Sequence, residues 1–219
     1  MNLKDCHNFE DFRKLAKKKL PSPIFHYIDG GSDDETTLNR NTTAFNDYDL
    51  IPNVLRGVEE VDLSTTVLGE KIDFPLFPSA TAMHRLYHHE GERASARAVE
   101  KMGTIFGTST MGTVSIEEIG QINKGPKSFQ LYIHKDRGLT DNLLERCKKA
   151  GFTSLCLTVD TVVAGNRERD RRTGFTTPPK LTLDSLLSFV LHPFWTINHL
   201  IHEKFELANI IHMTEKGSS

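Results

Sequence analysis

Four short apolar runs between residues 74 and 159 constrain this chain more than any other feature. They are Phe74-Pro75-Leu76-Phe77, Thr104-Ile105-Phe106-Gly107, Ser128 to Ile133, and Ser154 to Val159. Between them the spacing predicts helices over Glu90 to Met102, Ser115 to Gln121 and Leu139 to Ala150. The last closes on Lys148-Lys149-Ala150-Gly151, cations followed by a glycine, which is how a helix stops. Mainly apolar strands that alternate with helices read as parallel βα units, because such strands are buried on both faces. Four of these units make half of a (β/α)₈ barrel. The expected fold class is therefore α/β, a (β/α)₈ TIM barrel with about the first four βα units present after an N-terminal helical segment.

That leading segment reads as separate short helices. Over residues 8–20 one face carries Phe9, Phe12, Leu15 and Ala16, lysines lie opposite, and Pro21 and Pro23 stop the helix. A second helix is expected around Ile24 to Ile28, closed by Gly30-Gly31. Ser32-Asp33-Asp34-Glu35 then offers an N-cap and an acidic first turn for a helix over about 34–46. Asp47 to Glu70 reads as irregular chain with short extended pieces. Residues 161–219 give no fifth unit. They hold a charged loop, a Pro178-Pro179 break, an apolar stretch from Leu181 to Ile201, and a tail ending Gly217-Ser218-Ser219.

Composition excludes several functions. Lys and Arg total 27 against 29 Asp and Glu, a net charge of -2, so no broad field favours nucleic acid. Cys6, Cys147 and Cys156 form no C-x-x-C pair and are odd in number, which fits a reducing compartment better than a disulfide framework or a zinc module. The first twenty residues are rich in charge and lack an apolar core of leader length, so a cytoplasmic location is expected. His84, His88 and His89 lie close together without a zincin-type motif, and no metal site is expected. Lys124-Gly125-Pro126-Lys127-Ser128 precedes a strand instead of following one, and reads as a turn.

In parallel α/β folds the chemistry collects at the C-terminal ends of strands. After the first run stand Ser79-Ala80-Thr81-Ala82-Met83, small residues that let a flat ligand approach the backbone. Thr108-Ser109-Thr110 follows the second. The third offers Gln130 and Tyr132 on one face, and the fourth offers Thr158 and Asp160, followed by Arg167. Taken singly, each is an ordinary loop hydroxyl or surface charge. Their convergence suits a small anion beside a polar heterocycle, since arginine can hold a carboxylate through two parallel hydrogen bonds. The rest of the run Arg167 to Arg172, with Glu168 and Asp170 interleaved, reads as a solvated loop.

Five segments in order carry a more specific signal: His26-Tyr27-Ile28-Asp29-Gly30-Gly31-Ser32-Asp33-Asp34-Glu35, Ala80-Thr81-Ala82-Met83, Phe129-Gln130-Leu131-Tyr132, Leu157-Thr158-Val159-Asp160-Thr161, and Gly165-Asn166-Arg167. Over about residues 8–180 they resemble successive motifs of the FMN-dependent L-2-hydroxy-acid dehydrogenases and oxidases, which include glycolate oxidase, L-lactate dehydrogenase and mandelate dehydrogenase. The resemblance implies an FMN cofactor contacted by main-chain groups of Ala80, Thr81 and Ala82 and by Ser109, Gln130 and Thr158. It implies that Tyr27, Tyr132 and Arg167 hold the substrate, and that Asp160 pairs with a catalytic histidine for which this sequence has no match. Oxidation of an L-2-hydroxy acid to the 2-oxo acid follows as the expected activity, with quinone, cytochrome or oxygen as electron acceptor. L-Lactate is the expected substrate, because residues around Thr182 to Asn209 resemble the loop of bacterial lactate dehydrogenases.

The sequence also departs from that pattern. His89 stands where many relatives have proline, and Thr110-Met111 replaces a Ser-Trp pair common in glycolate oxidases, which reshapes the substrate side of the pocket. The family's later lysine, its S-N-H-G-G-R motif and its phosphate-binding glycine segments are not matched. The expectation is thus an N-terminal part of one FMN hydroxy-acid dehydrogenase domain: 1–70 a helical lead-in, 71–165 the first four βα units, and 166–219 the loop after the fourth strand. The alternative is a non-catalytic half-barrel that acts as a binding or assembly module. Leu186 to Ile197 is too short to span a bilayer; peripheral membrane contact and packing on the barrel or on a neighbouring subunit both remain open. A homo-oligomer is expected for the full-length form.

Overall fold

The fold is described from a computed structural model, which covers residues 2–176 and 180–210. The Pro178-Pro179 break and the final Gly217-Ser218-Ser219 lie outside the described residues. In chain order the elements are α1 (Phe9–Lys19), α2 (Ser22–Asp29), α3 (Thr36–Thr43), β1 (Thr65–Val67), β2 (Glu70–Ile72), α4 (Glu92–Lys101), β3 (Phe106–Ser109), α5 (Ile116–Ile122), β4 (Lys127–Leu131), α6 (Arg137–Lys149), β5 (Ser154–Leu157), α7 (Glu168–Thr173), α8 (Leu183–Leu191) and α9 (Pro193–Ile201). They fall into two compact units. One takes in residues up to Gly57 together with Val163–His202; the other takes in Val58–Val162 with the segment from Glu203.

The second unit carries the βα succession. Strands β3, β4 and β5 lie parallel in that order, with Thr108 opposite Phe129 and Phe129 opposite Leu155. Helices α4 to α6 alternate with them, and their apolar residues meet those of the strands in two clusters. Ala96, Val99, Phe106, Val114 and Ile119 form one; Ile116, Phe129, Leu131, Leu143 and Cys147 form the other. Phe129 is wholly buried, and truncating such a residue to alanine costs ~3–5 kcal/mol. The helix starts are capped locally: Ser115 Oγ accepts from Glu118 N–H at 3.2 Å, and Asp136 Oδ1 accepts from Gly138 N–H at 2.8 Å. Burial pushes the Cys147 thiol up to about 12, so it behaves as a core side chain and not as a nucleophile.

Two local expectations change. Among the described residues the run Phe74–Phe77 joins no strand ladder. Pro75 supplies no N–H, and the segment is instead tied to the start of the sheet by Asp73 N–H to Gly103 C=O at 2.8 Å and Thr104 Oγ1 to Leu76 C=O at 2.9 Å. Upstream, the stretch read as irregular contains an antiparallel hairpin, with Thr65 opposite Ile72. Leu68 and Gly69 form its two-residue turn at φ 53° and 83°, both left-handed, as the twist of a tight hairpin demands. At the other side of the sheet β5 pairs, among the described residues, only with β4, and Leu155 and Leu157 are each 47% exposed.

In the first unit α2 packs against α1, α7 and α8 and buries Ile24 and Phe25. The apolar face expected on α1 is only partly used: Leu15 is buried, whereas Phe9 is 91% exposed and Phe12 is exposed too. Helix α3 starts later than expected, at Thr36, and Ser32-Asp33-Asp34 does not cap it. Glu35 sits at its N-cap in the left-handed region (φ 58°), with its carboxylate turned to Gly31 N–H at 2.9 Å and to Arg169. Nor is the charged run after Arg167 a solvated loop. It forms α7, and Arg169 joins Asp29 at 2.8 Å as well as Glu35. Asp29 also accepts a bidentate pair from Arg13, from Nε at 2.5 Å and from Nη2 at 3.0 Å. Four charges thus bind the middle of α1, the end of α2 and the start of α7 to the Gly30-Gly31 turn.

Candidate active site

The residues singled out from sequence fall into one group in each unit. In the sheet unit, Ser109 ends β3, Gln130 sits in β4 and Thr158 follows β5, all at the C-terminal end of the strands. Parallel pairing places them in a row. Ser109 Oγ donates to Gln130 Oε1 at 2.9 Å, and Gln130 Nε2 donates to Thr158 Oγ1 at 2.5 Å. The same Oε1 accepts from Thr110 N–H at 3.3 Å. Ser109 Oγ in turn accepts from Met111 N–H at 3.1 Å. The amide is therefore locked between three neighbours, and its second Nε2–H and the Thr158 hydroxyl hydrogen remain to offer to a ligand.

Thr110, one of the strand-end hydroxyls that the sequence offers, organises this row. Its buried Oγ1 donates to Gln130 C=O at 2.7 Å and accepts from Tyr132 N–H at 3.2 Å, which fixes the backbone at Tyr132 just past β4. Tyr132 is half-buried. Asp160 is exposed beyond β5 and makes no hydrogen bond or ion pair among the described residues.

Ala80, Thr81 and Ala82 form the loop beside β3. A Cβ on Gly107 would lie 2.9 Å from Ala80 N, so the loop backbone lies against this strand and only glycine admits it. Met83, left-handed at φ 56°, donates its N–H to Met111 C=O at 3.1 Å. The N–H groups of Ala80 and Ala82 have no hydrogen-bond partner among the described residues. The loop is braced by a carboxylate that sequence inspection passes over. Glu92 is 1% exposed and accepts from His84 N–H at 3.3 Å, Thr113 N–H at 2.9 Å and Thr113 Oγ1 at 2.6 Å. Its only sequence signal is an acid directly after Gly91 at a helix start. Burial holds the His84 imidazole below its ordinary range, with Glu92 opposing that shift. Asn209 is another buried brace, accepting from Ile116 N–H at 3.0 Å and donating to Ser109 C=O at 3.3 Å. Nothing in the local sequence marks it.

In the helical unit Tyr27 and Arg167 come together. The Arg167 guanidinium stands 5.1 Å from the Tyr27 ring centre, and its Nη2 donates to the Tyr27 carbonyl. Phe175 meets the same ring edge-on at 5.2 Å. Asn166 Nδ2 donates to Asp33 at 2.8 Å, and its carbonyl accepts from Asp33 N–H at 3.0 Å, so the residue before Arg167 is pinned to the turn after α2.

A row of amide and hydroxyl groups, two unspent main-chain donors and a close-approach glycine match the edge of a planar heterocycle with alternating donors and acceptors. The chain matches the family model of FMN-dependent dehydrogenases over residues 16–218. It belongs to that family. The matched family is one of FMN-dependent dehydrogenases, and the βα succession corresponds to part of the barrel fold of its solved members. The chain is similar to glycolate oxidase 1 of Zea mays, at 42% identity over 176 residues, covering 80% of this chain and 48% of that protein. It is similar to the L-lactate dehydrogenase of Vibrio parahaemolyticus serotype O3:K6, at 41% over 201 residues, covering 91% and 53%. Among solved structures it resembles a monotopic membrane protein, (S)-mandelate dehydrogenase, with TM-score 0.88 and 33% identity, covering 96% of this chain and 56% of that one. The chain spans about half the length of the relatives it matches.

Proposed function

We propose that this chain supplies the flavin-edge and carboxylate-binding groups for oxidation of an L-2-hydroxy acid, with L-lactate as the substrate. The observation that carries the reading is the hydrogen-bonded row Ser109–Gln130–Thr158 at the strand ends. FMN, when bound, supplies a two-electron acceptor for the substrate's α-hydrogen and its bonding pair. Gln130, Thr158 and the free N–H groups of Ala80 and Ala82 hold the ring edge, with Ser109 and Thr81 completing the contact. Arg167 takes the substrate carboxylate, and Tyr27 and Tyr132 align it. Asp160 stabilises the imidazolium of a histidine base, which takes the substrate's hydroxyl proton. L-Lactate is favoured because similarity to the Vibrio L-lactate dehydrogenase extends over 91% of this chain, against 80% for glycolate oxidase 1.

The test is a titration of FMN with the 219-residue chain, followed by flavin fluorescence. Gln130→Leu is expected to weaken binding about tenfold, the loss of one or two hydrogen bonds to a polar ring. Equal affinity of the two chains, or no binding by either, overturns the reading. Competition among L-lactate, glycolate and (S)-mandelate for the same protein then ranks the substrates.

Contact with a lipid surface is the second element of the proposal, and it rests on inverted amphipathic helices. Leu183, Leu186, Leu187, Val190 and Leu191 are exposed along one face of α8, as are Phe194, Ile197, Leu200 and Ile201 on α9. The hydroxyls turn inward instead: Ser185 Oγ donates to Thr173 C=O at 2.8 Å, and Ser188 Oγ accepts from Ser22 N–H at 2.8 Å. Residues 185–201 contain no Asp, Glu, Lys or Arg. Such faces dock in the interfacial plane of a bilayer; no described helix is long and apolar enough to cross one. Co-sedimentation with phosphatidylcholine–phosphatidylglycerol vesicles is expected, and loss of it in a Leu187→Asp, Phe194→Asp variant. Vesicle binding that survives both changes overturns this part.

A further inference from the structure

We infer that Asp170 is a positioning residue for Arg167, fixing which of its N–H groups face a substrate carboxylate. The inference rests on the carboxylate-binding role proposed above for Arg167 and adds a residue to it. Arg167 is the N-cap of α7, and Asp170 lies one turn inside that helix. Arg167 Nε donates to Asp170 Oδ2 at 2.5 Å. A pair at this spacing on an exposed helix is worth a few tenths of a kcal/mol and orients little. This pair differs in its surroundings. The Asp170 side chain is 9% exposed, and its Oδ1 has no partner among the described residues. A carboxylate withdrawn from water in this way is costly unless a cation stays beside it, so the pair is held together by the burial of one member.

The bond disposes of the guanidinium selectively. Of its five N–H groups, Nε–H goes to Asp170 and one Nη2–H goes to the Tyr27 carbonyl. Nη1 has no partner among the described residues, and a second Nη2–H also remains. With the ring of Tyr27 against one face and two protein acceptors taking fixed positions, rotation about the Arg167 side chain is restricted. The three remaining N–H groups therefore keep one direction before substrate arrives. Ordering a long side chain in advance removes part of the entropy lost on binding. Phe175 adds an edge-on contact to the Tyr27 ring, and its own N–H donates to Asp170 C=O at 2.9 Å. One short segment thus sets the aromatic ring, the cation and the anion that aims the cation.

Two measurements on the 219-residue chain test this. In ¹⁵N-labelled protein the Arg167 Nε–H resonance is expected downfield and slow to exchange, moving upfield in Asp170→Ala and part-way in Asp170→Asn, which keeps an acceptor but no charge. In a double-mutant cycle, L-lactate affinity is expected to fall about tenfold on Asp170→Ala in the unsubstituted chain, the loss of one charge-assisted bond. It is expected to change little on Asp170→Ala in an Arg167→Ala background. Equal losses in both backgrounds would make Asp170 merely structural and overturn the inference, as would an Nε–H resonance indifferent to both substitutions. Should Asp170→Ala fail to fold, Asp170→Asn carries both measurements. If Arg167→Ala alone leaves L-lactate affinity unchanged, or the unsubstituted chain binds none, the carboxylate reading fails and the substrate role of Asp170 fails with it. The resonance then reports separately whether the pair forms.

Discussion

Arg167 and Tyr27, 140 residues apart in the chain, are joined twice: the guanidinium covers the phenol ring at 5.1 Å and donates to that residue's own carbonyl. A planar guanidinium can stack and donate at once, whereas an ammonium group cannot do both in one plane. Arg167→Lys is therefore expected to lower L-lactate affinity about tenfold with FMN affinity unchanged. Isothermal titration with each ligand checks this. Unaltered lactate binding in the lysine variant would remove Arg167 from the site.

Gln130 is a structural bridge as well as a proposed ligand. Gln130→Leu leaves Ser109 Oγ without its acceptor and Thr158 Oγ1 without its donor in a region that is largely buried, while Thr110 N–H keeps the backbone carbonyl of residue 130. The expected loss is ~1–3 kcal/mol, read as a lower urea midpoint at an unchanged slope. A neutral result would mean that water replaces the amide without cost.

Glu92 ties His84, just after the Ala80–Ala82 loop, to Thr113. Glu92→Ala strips His84 N–H and both Thr113 donors of their acceptor and opens space in the core, and a loss of ~3–5 kcal/mol is expected. Glu92→Gln retains an acceptor oxygen and is expected to lose less than half as much. Guanidinium melts of the two variants compare them directly, and equal losses would show that the charge, not the bonding pattern, matters.

Stability is expected to fall in two stages on acidification. Burial holds His26 and His84 below the ordinary imidazole value, and at His26 Arg169 adds to the effect. Between that ordinary value, about 6.5, and the lower folded values, the unfolded chain binds more protons, so stability drops as pH falls through the window. Asp29, Glu35 and Glu117 are held below the carboxylate range, chiefly by Arg13, by Gly31 N–H and by Arg146 respectively. Their contribution is complete above the ordinary values of about 4, and is lost as pH falls through the folded ones. Urea midpoints measured from pH 7 to pH 3 follow both stages. Arg169→Met should shrink the second stage, since it removes a cation from Asp29 and Glu35; a profile flat from pH 7 to pH 5 would contradict the burial of the two histidines.

Much of this protein was legible along the chain. Helices α4, α5 and α6, and strands β3 to β5, lie close to where the apolar runs put them, because strand and helix periodicities are local and Ser115 and Gly151 mark limits; α6 starts two residues earlier than expected, at Arg137, capped by Asp136. The same order placed Ser109, Gln130 and Thr158 at one end of the sheet, since parallel pairing aligns the strand ends. What the sequence could not state is which polar groups become partners once water is removed. The prolines of the 74–78 segment gave up a place in the ladder for contacts from Asp73 and Thr104, and a charged run that resembled a solvated loop became α7 because Asp29 and Glu35 were waiting for Arg169. Glu92, Asn209 and Asp170 look like surface residues in one dimension. They are buried because donors more than a turn away, or a neighbouring cation, meet them only in the folded chain. Periodicity is set by backbone geometry within a few residues, and it determined the elements; polar satisfaction is set by neighbours distant in sequence, and only the tertiary structure decided it.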